Sequence, residues 1–278
     1  MSEQCLLVSD YSSLEIVILG DFCKRLFGDD QLVVAYLAQF HPTNPVDLHS
    51  NNARNLFGVH LKWTVPAGMD YGGMTVDNIP VAKFKKHPYG ALLRDMTKTF
   101  WYGMSYGKGA YGFSTMIGAD GKMIGELKAQ EMIDALLNAV PGMRKWMEWA
   151  ETFVREHHGI YSLGGRWCDL SAEMETGDEW NARRAFRRAY NFPMQATGAE
   201  IIGDAMVRVM RDKSLRKLGF GTCLQVHDEL VLRGPLVNAA AAKERLVTHM
   251  RNATANGTPL LFQPEVNASY ASNYADAK

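Results

Sequence analysis

The stretch Thr222-Cys-Leu-Gln-Val-His-Asp-Glu-Leu230 decides how the remainder of the chain is interpreted. Its apolar strand residues run directly into a turn that carries two adjacent carboxylates, Asp228 and Glu229. This pattern predicts a β-hairpin with both acids exposed at its tip. Two acids at the tip of a hairpin favour phosphate chemistry that depends on a bound metal ion.

A metal site of this kind needs a second carboxylate from elsewhere in the chain, and Asp10 provides one. The apolar run Cys5-Leu-Leu-Val8 precedes Asp10, so this acid is expected at the end of a short buried strand. If the two strands are neighbours in one sheet, Asp10 and Asp228 can converge on the same divalent cations, because Mg²⁺ is usually held by one or two carboxylates besides substrate phosphates. Taken singly, however, each aspartate could also be an ordinary turn residue or helix N-cap.

A third segment, Arg94 to Gly107, has a helical repeat of unusual composition. Arg94, Lys98, Tyr102 and Tyr106 recur every fourth residue, so on a helix they form one stripe. Two cations followed by two aromatic rings suit the phosphates, sugar and base of a nucleoside triphosphate. The alternative is a surface helix whose charges are solvated and whose rings pack inward.

The three segments together resemble the motifs of family A DNA polymerases. The residue sequence of the second segment resembles that of the bacteriophage members of the family. The first motif corresponds to Asp10-Tyr-Ser-x-x-Glu15, the second to Arg94–Gly107 and the third to Gln225-Val-His-Asp-Glu-Leu230. Lesser signatures fall in order between them, namely Asp47-Leu-His49, Pro141-Gly142, Gly164-Gly-Arg166 and the segment 187–202. The resemblance covers almost the whole chain.

The resemblance implies a template-directed DNA polymerase with Mg²⁺ as its cofactor and with primer-template DNA and deoxynucleoside triphosphates as partners. Asp10 and Asp228 are the implied metal ligands, with Glu229 nearby, and Lys98 joins them as a catalytic residue. The implied nucleotide-binding residues are Arg94, Lys98, Tyr102, Glu15, His49 and Tyr106. The implied DNA-binding residues are Arg187, Asn191, Gln195 and His227.

The resemblance also implies an α+β fold, with a small antiparallel palm sheet built from both ends of the chain and a mostly helical fingers insertion. We expect the palm at 1–45 and 191–278, and the fingers at 46–190. Family members carry a thumb and usually an exonuclease domain before the first motif, so these domains are expected to be absent here. Ser13 replaces the usual glutamine of the first motif, which puts local primer or template contacts in doubt.

Composition limits the other possibilities. The 278 residues are 47% hydrophobic, which is enough for one or two cores, and 30 basic residues balance 30 acidic ones. The chain therefore has no overall positive charge that would attract DNA. Its binding to DNA is expected to depend on local basic patches or on a partner protein. Its 4 cysteines are far apart in the sequence, and no apolar run is long enough to cross a membrane. These features predict a cytoplasmic protein, in the host cell if a phage encodes it.

Two questions stay open at the level of sequence. The chain could be the catalytic part of a split polymerase whose second polypeptide supplies the thumb and exonuclease, or it could be a minimal enzyme that acts alone. It could also be a non-catalytic DNA-binding module that retains only the fold. The cluster Arg183, Arg184, Arg187 and Arg188 is likewise either a primer-template contact or a solvated helix face.

Overall fold

The computed structural model describes residues 3–118 and 121–278. Its main sheet has four antiparallel strands in the order β4-β5-β1-β8. Two further pairs of short strands, β2 with β3 and β6 with β7, lie outside this sheet. The bounds are β1 Gln4–Tyr11, β2 Gly159–Tyr161, β3 Trp167–Asp169, β4 Gly221–Val226, β5 Glu229–Pro235, β6 Thr254–Ala255, β7 Thr258–Pro259 and β8 Val266–Ala271.

Strand β1 is central because it is apolar on both faces. Leu7 and Val8, which point to opposite faces, are both almost completely buried. On either side, β1 pairs with β5 and β8, which come from the other end of the sequence. The expected antiparallel sheet built from both ends of the chain is therefore confirmed.

Most of the remaining chain is helical, as expected for an α+β fold with a helical insertion. The helices are α1 Leu14–Phe27, α2 Gln31–Leu37, α3 Leu48–Ala53, α4 Val81–Phe84, α5 Pro88–Ser105, α6 Ala110–Phe113, α7 Glu126–Ala139, α8 Pro141–His157, α9 Ser171–Met174, α10 Glu179–Arg211, α11 Lys213–Lys217, α12 Ala239–Arg251 and α13 Tyr274–Ala277. Short 3₁₀ turns span Ala38–Phe40, Val76–Asn78 and Leu236–Asn238, and a π-helix spans Arg54–His60. Within the described ranges no helix is both long and apolar enough to cross a membrane.

Helix α5 carries the stripe of cations and aromatic rings. It begins after His87, whose ring accepts a hydrogen bond from the Gly90 amide, and Pro88 occupies its first turn, where a missing N–H costs nothing. Arg94, Lys98 and Tyr102 lie within the helix, and Tyr106 directly follows it. The predicted helical repeat of these four residues is confirmed, with Tyr106 at the helix end.

The chain divides into two compact units, and each contains some of the residues that the sequence singles out. The first unit comprises 1–22, 161–168 and 192–278, and holds the four-stranded sheet. The second comprises 23–160 and 169–191, and holds α3, α5, α7 and α8. The ranges 1–45, 46–190 and 191–278 concern functional subdomains, and they stay a prediction.

Candidate functional site

Asp10 and Asp228 lie where the sequence predicts them. Asp10 is the second-last residue of β1, and Asp228 lies in the two-residue turn between β4 and β5. His227, the other turn residue, has a left-handed backbone with φ 56°, which is uncommon for a residue with a side chain. Because β5 pairs directly with β1, this turn lies beside the end of β1 that carries Asp10.

Glu229 corrects the expectation that both acids are exposed at the hairpin tip. It is the first residue of β5 and only 3% exposed. The Tyr274 hydroxyl donates a hydrogen bond of 2.6 Å to one carboxylate oxygen, and the Lys278 ammonium lies 3.1 Å from the other. The tip of the hairpin therefore presents a single carboxylate, that of Asp228, which is partly exposed.

Asp10 lies in a concentration of negative charge. Burial raises its pKa, and the charges of Asp228 and Glu229 raise it further, while Lys278 opposes them. Repulsion among neighbouring carboxylates is relieved when a cation binds between them, and carboxylate oxygens are the ligands that Mg²⁺ prefers. No group of three or more His, Cys, Asp or Glu side chains within the described ranges is arranged to hold a metal ion. Asp10 and Asp228 nevertheless fit Mg²⁺, since this ion takes its remaining ligands from substrate phosphates and water.

Four of the predicted site residues of the first unit line one cavity of about 400 Å³, and they come from three elements. Glu15 lies in the first turn of α1, Gln195 on α10, and His227 and Asp228 in the turn between β4 and β5. Gln225 lines the same cavity, and its side chain donates a hydrogen bond to the His227 carbonyl. The walls between these polar groups are mostly apolar, which is typical of a ligand-binding cleft.

In the second unit, Arg94 is held by Asp47 through two hydrogen bonds of 2.8 and 3.0 Å. Asp47 is the N-cap of α3 and also accepts a hydrogen bond from the Ser50 amide. Although burial raises it, the pKa of Asp47 is brought well below its usual value by hydrogen bonds from Arg94 and Ser50. The guanidinium is therefore fixed in orientation before any ligand arrives.

His49, Lys98 and Tyr102 lie beside this ion pair. The His49 and Tyr102 rings are 6.0 Å apart, and the exposed Lys98 ammonium lies 5.9 Å from the Tyr102 ring. His49 is 5% exposed, and its Nδ1 has no hydrogen-bond partner among the described residues. Burial, together with the positive charges of Arg94 and Lys98, lowers the pKa of His49 to about 4. Four of the predicted nucleotide-binding residues are thus neighbours.

The arginines at the start of α10 are largely engaged within the protein. Arg183 pairs with Glu179, Arg188 pairs with Glu173, and Arg184 lies over the Trp180 ring. Arg187 is exposed and lines a cavity of about 290 Å³ with Lys108, Arg183 and Tyr190. Asn191 is the last residue of the second unit, and Gln195 follows one helical turn later in the first unit. Three members of the cluster are therefore paired within the protein, while a contact of Arg187 with primer-template DNA stays a prediction.

Sequence reasoning missed four residues that shape the site. Asp47 was recognised only as part of a signature, and its pairing with Arg94 spans 47 positions of sequence. Tyr274 and Lys278 engage Glu229, and Gln225 lines the cavity of the first unit. Membership of a sequence motif was the available signal for Asp47 and Gln225, and no motif included Tyr274 or Lys278. The contacts of Asp47, Tyr274 and Lys278 join distant parts of the chain.

Comparisons with known proteins agree with this geometry. A family model described as DNA polymerase family A matches residues 78–276. The DNA polymerase I of Chloroflexus aurantiacus is 31% identical over 231 residues, which cover 82% of this chain and 20% of that protein. DNA polymerase I A, chloroplastic/mitochondrial, of Arabidopsis thaliana is 29% identical over 276 residues, which cover 98% and 24%. The chain spans about a quarter of the length of these curated relatives.

A solved structure supports the fold. The POL domain of Pol1 from M. smegmatis, in complex with DNA primer-template and dNTP, superposes with a TM-score of 0.73 at 24% identity. The match covers 98% of this chain and 40% of that one. Because the family model covers well over half of the sequence and the fold agrees, the chain belongs to DNA polymerase family A.

Proposed function

We propose that this chain is the polymerase region of a DNA-directed DNA polymerase, which extends a primer with deoxynucleotides chosen by a template strand. The observation that carries the proposal is the cavity that joins Glu15, Gln195, His227 and Asp228. Three separate elements deliver these residues to one cleft, next to the strand end that carries Asp10. Membership of DNA polymerase family A supports the same activity.

The proposed reaction is a nucleotidyl transfer. The primer 3′-hydroxyl gives its proton to solvent water, and its oxygen forms a bond to the α-phosphorus of the incoming nucleotide. The bond from that phosphorus to the bridging oxygen breaks, and pyrophosphate leaves with the electron pair. The protein must therefore favour a deprotonated primer oxygen and stabilise negative charge on the departing pyrophosphate.

Asp10 and Asp228 are the residues that would hold two Mg²⁺ ions at this site. These ions, when bound, stabilise the attacking and leaving oxygens of an in-line displacement. Asp10 contributes from the end of a central strand, and Asp228 from a two-residue turn. The first carboxylate is thus part of the hydrogen-bonded sheet, and the second lies in a short turn between two of its strands, which limits the movement of both.

The stripe on α5 would bind the triphosphate. Lys98 is exposed and can neutralise charge on the departing phosphates or donate a proton to them. Arg94 keeps N–H donors beyond the two that Asp47 engages, so it can contact a phosphate without losing its orientation. His49 is buried, and its Nδ1 has no hydrogen-bond partner among the described residues, so it can contribute a further phosphate contact.

Glu15 and Tyr102 would select the sugar of the incoming nucleotide. The Glu15 carboxylate, if it lies beside C2′, would leave no room for a ribose hydroxyl. Tyr102 would stack beside the same sugar, and its identity as tyrosine implies tolerance of dideoxynucleotides. Tyr106, at the end of α5 and partly exposed, would close over the templating position.

The duplex just formed would contact α10 and the hairpin turn. Arg187 can bind backbone phosphates, which fix position without reading sequence. Asn191, Gln195 and His227 can reach the acceptors that every base pair presents in the minor groove. The cavity lined by Gln195 and His227 supports this assignment for two of the four residues.

The first compact unit would then correspond to the palm and the second to the fingers of a phage-type enzyme. The acids Asp10 and Asp228 belong to the first unit and the cationic stripe of α5 to the second, so each unit would contribute its own part of the chemistry. This assignment follows the family, and it is supported by the presence of the sheet in the first unit.

Primer extension by the purified chain with Mg²⁺ and deoxynucleotides tests the proposal. We expect extension by the wild type, loss of at least about 10³-fold in rate for Asp228→Asn, and no change for Glu244→Gln, an exposed acid on α12. Extension that appears only after addition of an extract of the source cell indicates a second polypeptide. DNA binding without extension in either reaction contradicts the proposal and favours a non-catalytic DNA-binding module.

A further inference from the structure

The helix α13 and the residue after it are attached to the face of the sheet that carries Asp10. Ala277 is 1% exposed and packs with Val8 and Val231, and the partly buried Tyr274 packs against the same cluster. The Asn273 side chain caps α13 by accepting a hydrogen bond from the Asp276 amide. This short helix is therefore a fixed part of the first unit.

From this position, Tyr274 of α13 and the following Lys278 engage the two oxygens of Glu229. The Tyr274 hydroxyl donates to one oxygen at 2.6 Å, and the Lys278 ammonium lies 3.1 Å from the other. The same ammonium lies 3.1 Å from the Tyr274 hydroxyl, so the three side chains form a closed triangle of polar contacts. Glu229 has both carboxylate oxygens occupied by protein groups.

The location of Glu229 makes these contacts relevant to the metal site. Glu229 is directly opposite Asp10 in the register of β5 and β1, and directly opposite residues place their side chains on one face of a sheet. Its charge reaches Asp10, as does the opposing charge of Lys278. A released Glu229 side chain would be a third carboxylate beside Asp10 and Asp228.

We propose that Tyr274 and Lys278 are positioning residues that hold Glu229 out of the metal site. Asp10 and Asp228 are then the two carboxylates that coordinate the divalent cations. This inference rests on the proposed function for the identity of the metal ligands. Mg²⁺ in a nucleotidyl transferase must keep coordination positions for substrate phosphate and water, which a third carboxylate would occupy. The triangle thereby keeps the site open to substrate.

The proposal predicts effects of opposite sign on metal binding and on catalysis. Replacing Lys278 by Met removes the cation that neutralises Glu229, so the free protein gains local negative charge and a possible third ligand. We expect Lys278→Met to bind Mn²⁺ about tenfold more tightly than the wild type and to extend primers with Mg²⁺ more slowly. Simple damage to the fold would instead weaken both.

Mn²⁺ titration of the purified protein without DNA or nucleotide, followed by electron paramagnetic resonance of the free ion, tests the proposal. The variants are Lys278→Met, Tyr274→Phe, the double variant Glu229→Gln/Lys278→Met, and Lys217→Met as a matched exposed control on α11. We expect tighter binding for Lys278→Met, a smaller change in the same direction for Tyr274→Phe, and wild-type affinity for the double variant and the control. Asp228→Asn should lose the binding and so locate it.

Unchanged or weaker Mn²⁺ binding by Lys278→Met overturns the proposal, as does a double variant that behaves like Lys278→Met alone. Absence of Mn²⁺ binding by the wild type overturns it as well. Because the titration needs neither primer nor nucleotide, its outcome is independent of polymerase activity. If the titration gives the expected result but the protein extends no primer, alone or with an extract of the source cell, the proposed function is contradicted and the positioning role of Tyr274 and Lys278 stands.

Discussion

Glu15 lies in the first turn of α1 and lines the same cavity as Asp228. If its carboxylate excludes the ribose hydroxyl, Glu15→Ala should admit ribonucleotides, with the ratio of kcat/KM for deoxy- over ribonucleotides falling about 100-fold. Single-nucleotide incorporation with matched deoxy- and ribonucleotide pairs measures this ratio. Glu244→Gln serves as the control, and an unchanged ratio in Glu15→Ala would remove Glu15 from sugar selection.

His49 gives a pH-dependent prediction. Its pKa in the folded protein, about 4, is below the value near 6.5 of an exposed histidine. As the pH falls, His49 therefore takes up a proton in the unfolded chain before it does so in the folded protein. Protonation of the unfolded chain lowers the free energy of unfolding progressively between about pH 6.5 and pH 4. We expect the loss of unfolding free energy between pH 7 and pH 4.5 to be smaller in His49→Gln by on the order of 2 kcal/mol.

Urea denaturation of both proteins at the two pH values measures this difference. The contributions of the other histidines and acids to the pH dependence are the same in both proteins and cancel in the comparison. Equal losses in the two proteins would mean that His49 is readily protonated in the folded state. In that case the His49 ring would not be held neutral in the folded protein. Its burial would then no longer support its assignment as a nucleotide-binding residue.

At the scale of elements, the end of α5 packs closely against α10. Gly107 has φ 72°, and a Cβ added there would lie 2.3 Å from the Arg187 Cγ and 2.9 Å from its Cα. Gly107→Ala should therefore cost about 2 kcal/mol or more of unfolding free energy, from backbone strain and the clash with α10. Gly109→Ala is the matched control, because a Cβ at that position meets nothing within 4 Å.

Thermal and urea denaturation of the two alanine variants separate these outcomes. We expect Gly109→Ala to be neutral or slightly stabilising, since its φ of −93° suits any residue. Equal stability of the two variants would contradict the close approach of α5 and α10. It would also mean that Gly107 does not restrict the position of Arg187.

The elements that could be predicted from sequence are those set by local pattern. The apolar run before Asp10 predicted β1, and the four-residue repeat from Arg94 to Tyr106 predicted α5. The burial of Glu229 could not be predicted, because it depends on Tyr274, which is 45 residues away in the chain. The pairing of Arg94 with Asp47 could not be predicted either, because the two residues are 47 positions apart in the chain. Local periodicity determines secondary structure, while the partner of a buried charge depends on tertiary packing.

At the scale of the whole molecule, the two units carry different parts of the proposed chemistry. Gln195 belongs to the first unit and Lys98 to the second. We expect Gln195→Ala to weaken primer-template binding about tenfold with little effect on the KM for nucleotide. Lys98→Ala should have the reverse pattern and slow incorporation about 100-fold. Fluorescence anisotropy with labelled duplex and steady-state incorporation measure the two effects, and equal effects from both variants would contradict the division of roles.

In the proposed reaction, a template strand directs nucleotide transfer at Asp10 and Asp228. The most direct measurement offers each of the four deoxynucleotides singly to four primer-templates that differ only in the templating base. We predict extension by one nucleotide in the four complementary combinations, and none from Asp228→Asn. Extension that ignores the templating base, or that persists in Asp228→Asn, would contradict the account.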